Sequence, residues 1–160
     1  MKISNKILSI SIIFTFIGLV IECPCLFAQQ NSDSSKVEAA NQSFYKAFSD
    51  ESIKEMDQIW SHSSFASAIH PGSINIITGW KGVKESFESV FKTYEHVNIT
   101  PKDPYVHVNG NIAWVLCHEE FQAQQGEKTV KLTAAAINIF LKESGKWLMI
   151  HHQATVPAKE

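Results

Sequence analysis

The sequence predicts an α+β domain in which helices pack on one face of a strongly curved antiparallel sheet, in the order ααβα followed by a β-meander. Two observations carry that reading. Up to Glu95 the apolar residues fall mainly at helical spacing, with one short strand-like interruption; after Glu95 the pattern turns to β for the rest of the chain. Turn signals at Asn109-Gly110, Gln125-Gly126 and Ser144-Gly145 then cut the second half into strands joined as hairpins.

The elements follow in order. Ser35 and Glu38 have capping-box spacing, and Val37, Ala40, Phe44 and Phe48 share one face of the helix they open, with Tyr45 at its margin. Ser52 and Glu55 repeat the cap ahead of a short amphipathic helix through Ile53, Met56 and Trp60. "SFASAIHPGS" is strand-like and stops at Pro71-Gly72. "GWKGVKESFESVFKTYE" returns to helical period through Val83, Phe87, Val90, Phe91 and Tyr94. In "VNITPKDPYVHV", Pro101 and Pro104 mark a kinked or edge strand, because proline cannot donate to a ladder. "NIAWVLCHEEFQA", "TVKLTAAAINIFL" and "KWLMIHHQATV" complete the meander.

Residues 1–28 read as a secretory signal peptide. Lys2 and Lys6 precede an uncharged, mostly apolar run from Ile7 to Ile21, short for a membrane span, and Ala28 suits the position before a cut. Residues 29–34 read as a flexible linker and residues 35–157 as the folded domain. The expected location is periplasmic or secreted, with no stable membrane insertion after cleavage. A mature chain of about 130 residues can bury a full core as one domain. Of the three cysteines it keeps only Cys117, so no intrachain disulfide is expected and the fold must stand on packing.

Charge argues against one class of partner. The chain has 14 Lys+Arg against 16 Asp+Glu, and every basic residue is Lys. With no Arg fork and no lysine stripe, nucleic acid is not an expected partner. The sequence has neither a phosphate-cradling glycine loop nor a dinucleotide fingerprint, so no cofactor is implied. "SHSS" at Ser61–Ser64 lacks the flanking glycines of a nucleophile elbow.

Several strings resemble the SnoaL-like branch of the nuclear transport factor 2-like superfamily, whose members include ketosteroid isomerases, polyketide cyclases and the association domain of a calmodulin-dependent kinase. They are "FYKAF" (Phe44–Phe48), "IHPG" (Ile69–Gly72), "GWKGV" (Gly79–Val83), "AWV" (Ala113–Val115), "AINIF" (Ala136–Phe140) and "GKWLMIHHQAT" (Gly145–Thr155). The resemblance implies a cone: the curved sheet wraps round the helices and leaves a pocket at one end. It puts His70-Pro71 where the isomerases carry a general-base Asp-Pro, and Phe44 or Tyr45 near their phenolic oxyanion donor. By the same match Trp114, Leu116 and His118 face the pocket, as do Ile137, Ile139, Ile150 and His152, with Trp60 as a wall. The isomerases' second carboxylic-acid donor falls close to Ile137, so this chain lacks it.

In a strand neighbouring side chains point to opposite faces, so His151 and His152 cannot share one task. On this reading His152 points in and His151 points out. Val115, Cys117, Trp147 and Met149 join His151 on an outer face apolar enough to read as a homodimer interface. Glu119-Glu120 reads as a solvated pair, with Glu120 the one in reach of the cavity mouth. His70, His118 and His152 then converge with Tyr45 on one apolar cavity. They serve either as acid–base groups, with His70 the base and Tyr45 or His152 stabilising an oxyanion, or as wall residues that set polarity for a ligand. Without HxH or HExxH spacing no metal is expected, although three imidazoles could hold zinc.

Two functions fit these expectations. One is binding of a small hydrophobic molecule, aromatic or polycyclic, with cofactor-free isomerase, cyclase or dehydratase chemistry. The other is a non-catalytic dimeric assembly or binding module whose pocket is filled by its own Trp and Phe side chains.

Overall fold

The apolar stripe through Val37, Phe44 and Phe48 becomes the buried face of the first helix, α1 (Pro24–Ser49). The structure, a computed structural model, describes residues 24–157, with side chains from Ser32 onward. The signal peptide expected over 1–28 lies outside the described residues as far as residue 23. The Ser35 cap does not open α1, which is already helical there. Asp33, in the stretch read as a linker, is buried, and both its carboxylate oxygens accept from Lys142 Nζ at 2.9 and 2.7 Å. That ion pair holds the front of the helix to the sheet.

Helix α2 (Ile53–Ile59) starts at the expected cap, where Ser52 Oγ accepts from the Glu55 N–H at 3.3 Å. Two short strands follow, β1 (Ser67–Ile69) and β2 (Ile77–Thr78). The second, with only two residues, leaves no period to read in the sequence. Helix α3 (Gly79–Thr93) buries Val83 and Phe87. Four long strands follow among the described residues: β3 (Glu95–Asn109), β4 (Ile112–Gln125), β5 (Lys128–Glu143) and β6 (Lys146–Thr155). All six strands form one sheet in the order β2-β1-β6-β5-β4-β3. Every neighbouring pair is antiparallel except β1 with β6.

Strand β3 is the sheet edge, where its prolines are tolerated, and its register slips between Lys102 and Tyr105, beside Pro104. The Ser144-Gly145 turn has φ of 49° and 82°, the paired left-handed conformation of a tight hairpin. At the first hairpin the loop is Gly110-Asn111, one place later than expected, with Gly110 at φ 62°.

The faces of the central strands are the reverse of the expectation. On β4 the buried residues are Ala113, Val115, Cys117, Glu119, Phe121 and Ala123; on β5 they are Ala134, Ala136, Asn138 and Phe140. Small residues line much of the inner face, where a helix must lie against strands, and bulk has moved to the other side. Trp114, Leu116 and His118 on β4, with Ile137 and Ile139 on β5, therefore lie on the outer face. Val115, Cys117, Trp147 and Met149 are core residues and cannot form an interface; of the expected set only His151 faces outward.

His152 does point inward, but through a device that period-two reading cannot see. Phe140 pairs with Met149 and Ile139 with His151, so Ile150 is the extra residue of a β-bulge. Trp147 and Met149 face the core before the bulge, and His152 and Ala154 face it afterwards. Phe44 sits at the centre of that core, with its ring 5.0–6.3 Å from those of Tyr45, Phe48, Trp60, Phe87 and His152.

Candidate active site

Five elements deliver the polar side chains that meet inside the cone. Helix α1 presents Asn41 and Tyr45, one turn apart on the same face. Strand β4 presents Cys117 and Glu119, two residues apart and both inward. Asn138 and His152 are cross-strand partners on β5 and β6, and His70 follows the end of β1, whose Ala68 pairs with His152.

Asn138 is the hub. Its Nδ2 donates to Asn41 Oδ1 at 2.7 Å and to the Tyr45 hydroxyl at 3.0 Å. Its Oδ1 lies 2.7 Å from His152 Nδ1. An amide oxygen can only accept, so His152 carries its proton on Nδ1 and keeps a bare Nε2. Tyr45 passes its own proton to Glu119 Oε1 at 2.7 Å, and Cys117 Sγ stands 3.1 Å from the phenol oxygen as a donor to it. His70 is fixed separately. Its Nε2 is 2.9 Å from Ser86 Oγ, which gives its hydrogen to Val83 O at 2.7 Å. Ser86 must therefore accept from His70, which leaves Nδ1 of that ring bare.

Between these groups lies a cavity of about 200 Å³. Phe48, Val90, Ile99, Phe121 and Leu132 supply apolar walls, and the polar groups in its lining include His70, Glu119 and His152. Pro71 and Tyr94 are half-buried lining residues that mark the side nearer solvent.

Burial sets the charges. It raises the Glu119 carboxyl from the usual 4.5 to about 7, against the opposing hydrogen bond from Tyr45. It depresses His152 from 6.5 to about 3, with repulsion from His70 and His151 adding to the effect. His70 is also lowered by desolvation. The Tyr45 phenol is pushed far up by burial and then by the nearby Glu119 charge, and burial raises the Cys117 thiol, so both stay protonated. Near neutrality the cavity holds one carboxyl at its titration point beside two uncharged imidazoles.

This arrangement revises the residue roles read from the sequence. Tyr45, His70 and His152 are brought together, but the Tyr45 proton is committed to Glu119 and the Nδ1–H of His152 to Asn138. Neither is a free oxyanion donor. Phe44 and Trp60 are buried behind the cavity rather than in its wall. With His118 on the outer face beside Trp114, Leu116, Ile137 and Ile139, the three-histidine cluster is broken; Ile150 sits in the bulge. The filled-pocket expectation also meets an open volume.

The residues missed were Glu119, Asn138 and Asn41. Glu120, not Glu119, is the solvated member of the acidic pair, 3.5 Å from Lys102. A signal for Asn138 was present: a lone amide inside "AINIF", in phase with the small Ala134 and Ala136.

Comparison with known proteins supports this architecture. A candidate dehydratase of the NTF2-like family from Streptomyces avermitilis superposes with TM-score 0.73 at 21% identity, covering 81% of this chain and 99% of that one. An NTF2-like superfamily protein from Salmonella enterica serovar Typhimurium gives TM-score 0.75 at 19% identity, over 81% and 94% of the two chains. A candidate association domain of a calcium/calmodulin-dependent protein kinase II from Xanthomonas campestris gives 0.67 at 14%, over 78% and 87%. Likeness at these identities establishes the fold alone. The F-box protein SKIP8 of Arabidopsis thaliana is 21% identical over 118 residues, 74% of this chain and 48% of that protein, so the chain spans about half the length of this curated relative. The model of the SnoaL-like domain matches residues 37–159, nearly the whole folded region just described, and the chain belongs to that family, with an NTF2-like α+β fold.

Proposed function

We propose that the protein is an acid–base catalyst of the isomerase or dehydratase kind, acting on a small, mainly apolar molecule held in the cone. The observation that carries this is the Glu119 carboxyl, 2% exposed and titrating at about 7 in a largely apolar cavity shared with two neutral imidazoles. A carboxyl matched to neutral pH both gives and takes a proton with little penalty, and pure proton transfer needs no cofactor. His70 Nδ1 accepts a proton from the substrate while protonated Glu119 supplies one elsewhere on it; His152, depressed to about 3, stays neutral and offers Nε2 as a hydrogen-bond acceptor. The proton taken up by His70 then passes to ionised Glu119, directly or through water, which restores both groups.

Cavity size narrows the ligand. About 200 Å³ lies below the roughly 300–1,000 Å³ that holds drug-sized ligands, whereas about 150 Å³ suffices for benzene. One ring with a substituent fits better than a polycycle. The test is a proton NMR survey of small cyclic alcohols and ketones in deuterated buffer, watching for hydron exchange or turnover. Glu119→Gln keeps the shape and should lower the rate at least about a hundred-fold. Equal rates in the two proteins would reject the assignment.

We also propose a homodimer through the outer sheet face. Leu116 and Tyr105 are cross-strand neighbours, 42% and 60% exposed, and Ile137 continues their row. Trp114, Ile139 and His151 form the next row. A continuous apolar surface of this kind favours burial against a second copy.

A further inference from the structure

We propose that the cavity selects a hydroxyl-bearing ligand, a hydrogen-bond donor such as a cyclic alcohol or phenol, over the matching ketone or aldehyde. The proposal rests on the acid–base reading only for the location of the site. Its basis is the direction of each hydrogen bond around the cavity.

The two imidazoles have one N–H each, and both are spent on the protein. His152 gives its Nδ1–H to Asn138 Oδ1, whose amide is itself locked because Nδ2 serves both Asn41 and Tyr45. His70 gives its Nε2–H to Ser86, which is locked by its bond to the Val83 carbonyl. Among the described residues nothing donates to His152 Nε2 or His70 Nδ1, and both rings line the cavity. Tyr45, the nearby phenol, points its hydrogen at Glu119. The polar atoms fixed by these locks are therefore acceptors; the hydroxyl of Tyr94, a half-buried lining residue on the side nearer solvent, can donate or accept and so serves alcohol and ketone alike. A carbonyl brought against the fixed acceptors meets lone pairs, leaving two buried acceptors unpaired, whereas a hydroxyl pairs with one of them directly. Glu119 is the one group whose polarity changes: protonated it donates, ionised it accepts. The other titratable groups in contact with it, Tyr45 and Cys117, remain protonated and keep their orientation.

The discrimination follows from both sources of pairing. A net hydrogen bond contributes about one order of magnitude in affinity, and orphaning an acceptor costs at least as much. The locks are also independent, since Asn138 and Ser86 belong to different elements, β5 and α3.

Cyclohexanol and cyclohexanone, alike in size and suited to the cavity, are the probes. Each is titrated into the full-length protein at about pH 8.5, above the Glu119 transition, and followed through the ring resonances of His70 and His152 up to about 10 mM ligand. Cyclohexanol should bind at least about tenfold more tightly. Long-range nitrogen–proton spectra of the free protein should place the proton of His152 on Nδ1 and that of His70 on Nε2. The proposal is overturned by a preference below about threefold, by tighter binding of the ketone, by absence of saturable shifts at both rings, or by the opposite tautomer at either histidine. The outcome is independent of turnover. A preference for the alcohol in a protein whose Glu119→Gln variant is unimpaired leaves the ligand class standing and removes the catalytic role. Hydron exchange by a protein that favours the ketone does the reverse.

Discussion

The two faces of β4, β5 and β6 follow opposite rules. On the inner face Glu119, Asn138 and His152 are almost completely buried, and each has a hydrogen-bond partner or belongs to a chain of them. On the outer face, over the same stretch, Leu116 is 42% exposed and Trp114, Ile137 and Ile139 are only half-buried. Polar groups stay inside where burial penalises them, and apolar groups stay outside where water does. Neither side is explained by stability of an isolated chain. The inner exceptions are what the proposed proton transfer would require, and the outer ones what the proposed dimer would cover.

The strongest test of this contrast is a charge placed inside. Met149 has no exposed surface, so Met149→Lys should lose more than about 4 kcal/mol and fail to fold, which circular dichroism would show. A folded, soluble Met149→Lys protein would return Met149 to the outer face. Asn138→Leu comes next. It removes three hydrogen bonds and orphans Asn41 and His152, and should cost about 3 kcal/mol, visible as a lowered thermal midpoint. An unchanged midpoint would mean that the hub is not formed.

Smaller is the pH dependence that the inner face imposes. Folded Glu119 titrates at about 7 against 4.5 for a free carboxyl, so the folded chain holds the extra proton and stability falls as pH rises from about 4.5 to 7. His152 is depressed from 6.5 to about 3, so the unfolded chain protonates first and stability falls as pH drops from 6.5 towards 3. Between 4.5 and 6.5 the two slopes nearly cancel, and above 6.5 the Glu119 contribution acts alone. Glu119→Gln should abolish a neutral-side decline of about 1 kcal/mol in denaturant titrations at successive pH values, and uncover the His152 slope between 4.5 and 6.5. Persistence of the decline in the variant would assign it to another group.

On the outer face the same kind of change should hardly register in folding. Leu116→Lys should alter stability by no more than about 0.5 kcal/mol while turning a dimer into a monomer in sedimentation. A monomeric parent protein would leave the apolar face without its proposed partner.

Much of the fold was legible because its signals are local. Ser52 and Glu55 cap α2 as their spacing implies, Val83 and Phe87 bury one face of α3, and the glycine turns lie at or next to the expected places. The site was less legible because its signals are relational. Which face of β4 is inside depends on where α1 lies, and bulk misleads when alanines line the helix contact. The Ile150 bulge leaves no trace in composition, yet it decides that Met149 and His152 share a face. Glu119 and Glu120 are the same residue type side by side; burial raises the first to about 7 inside the cavity, while the second lies exposed, 3.5 Å from Lys102.

The parallel pairing of β1 with β6 has a consequence for biosynthesis. Ser67–Ile69 align with His151–Gln153, so His70 and His152 are brought together by segments more than half the chain apart. Until β6 has left the ribosome, β1 has no partner on that side and the two histidines cannot share one cavity. Contacts of such sequence separation form slowly, because the intervening loop must be closed first. The cavity that His70 and His152 share therefore closes only after β6 has been made, and a chain cut before His151 lacks the segment against which β1 pairs.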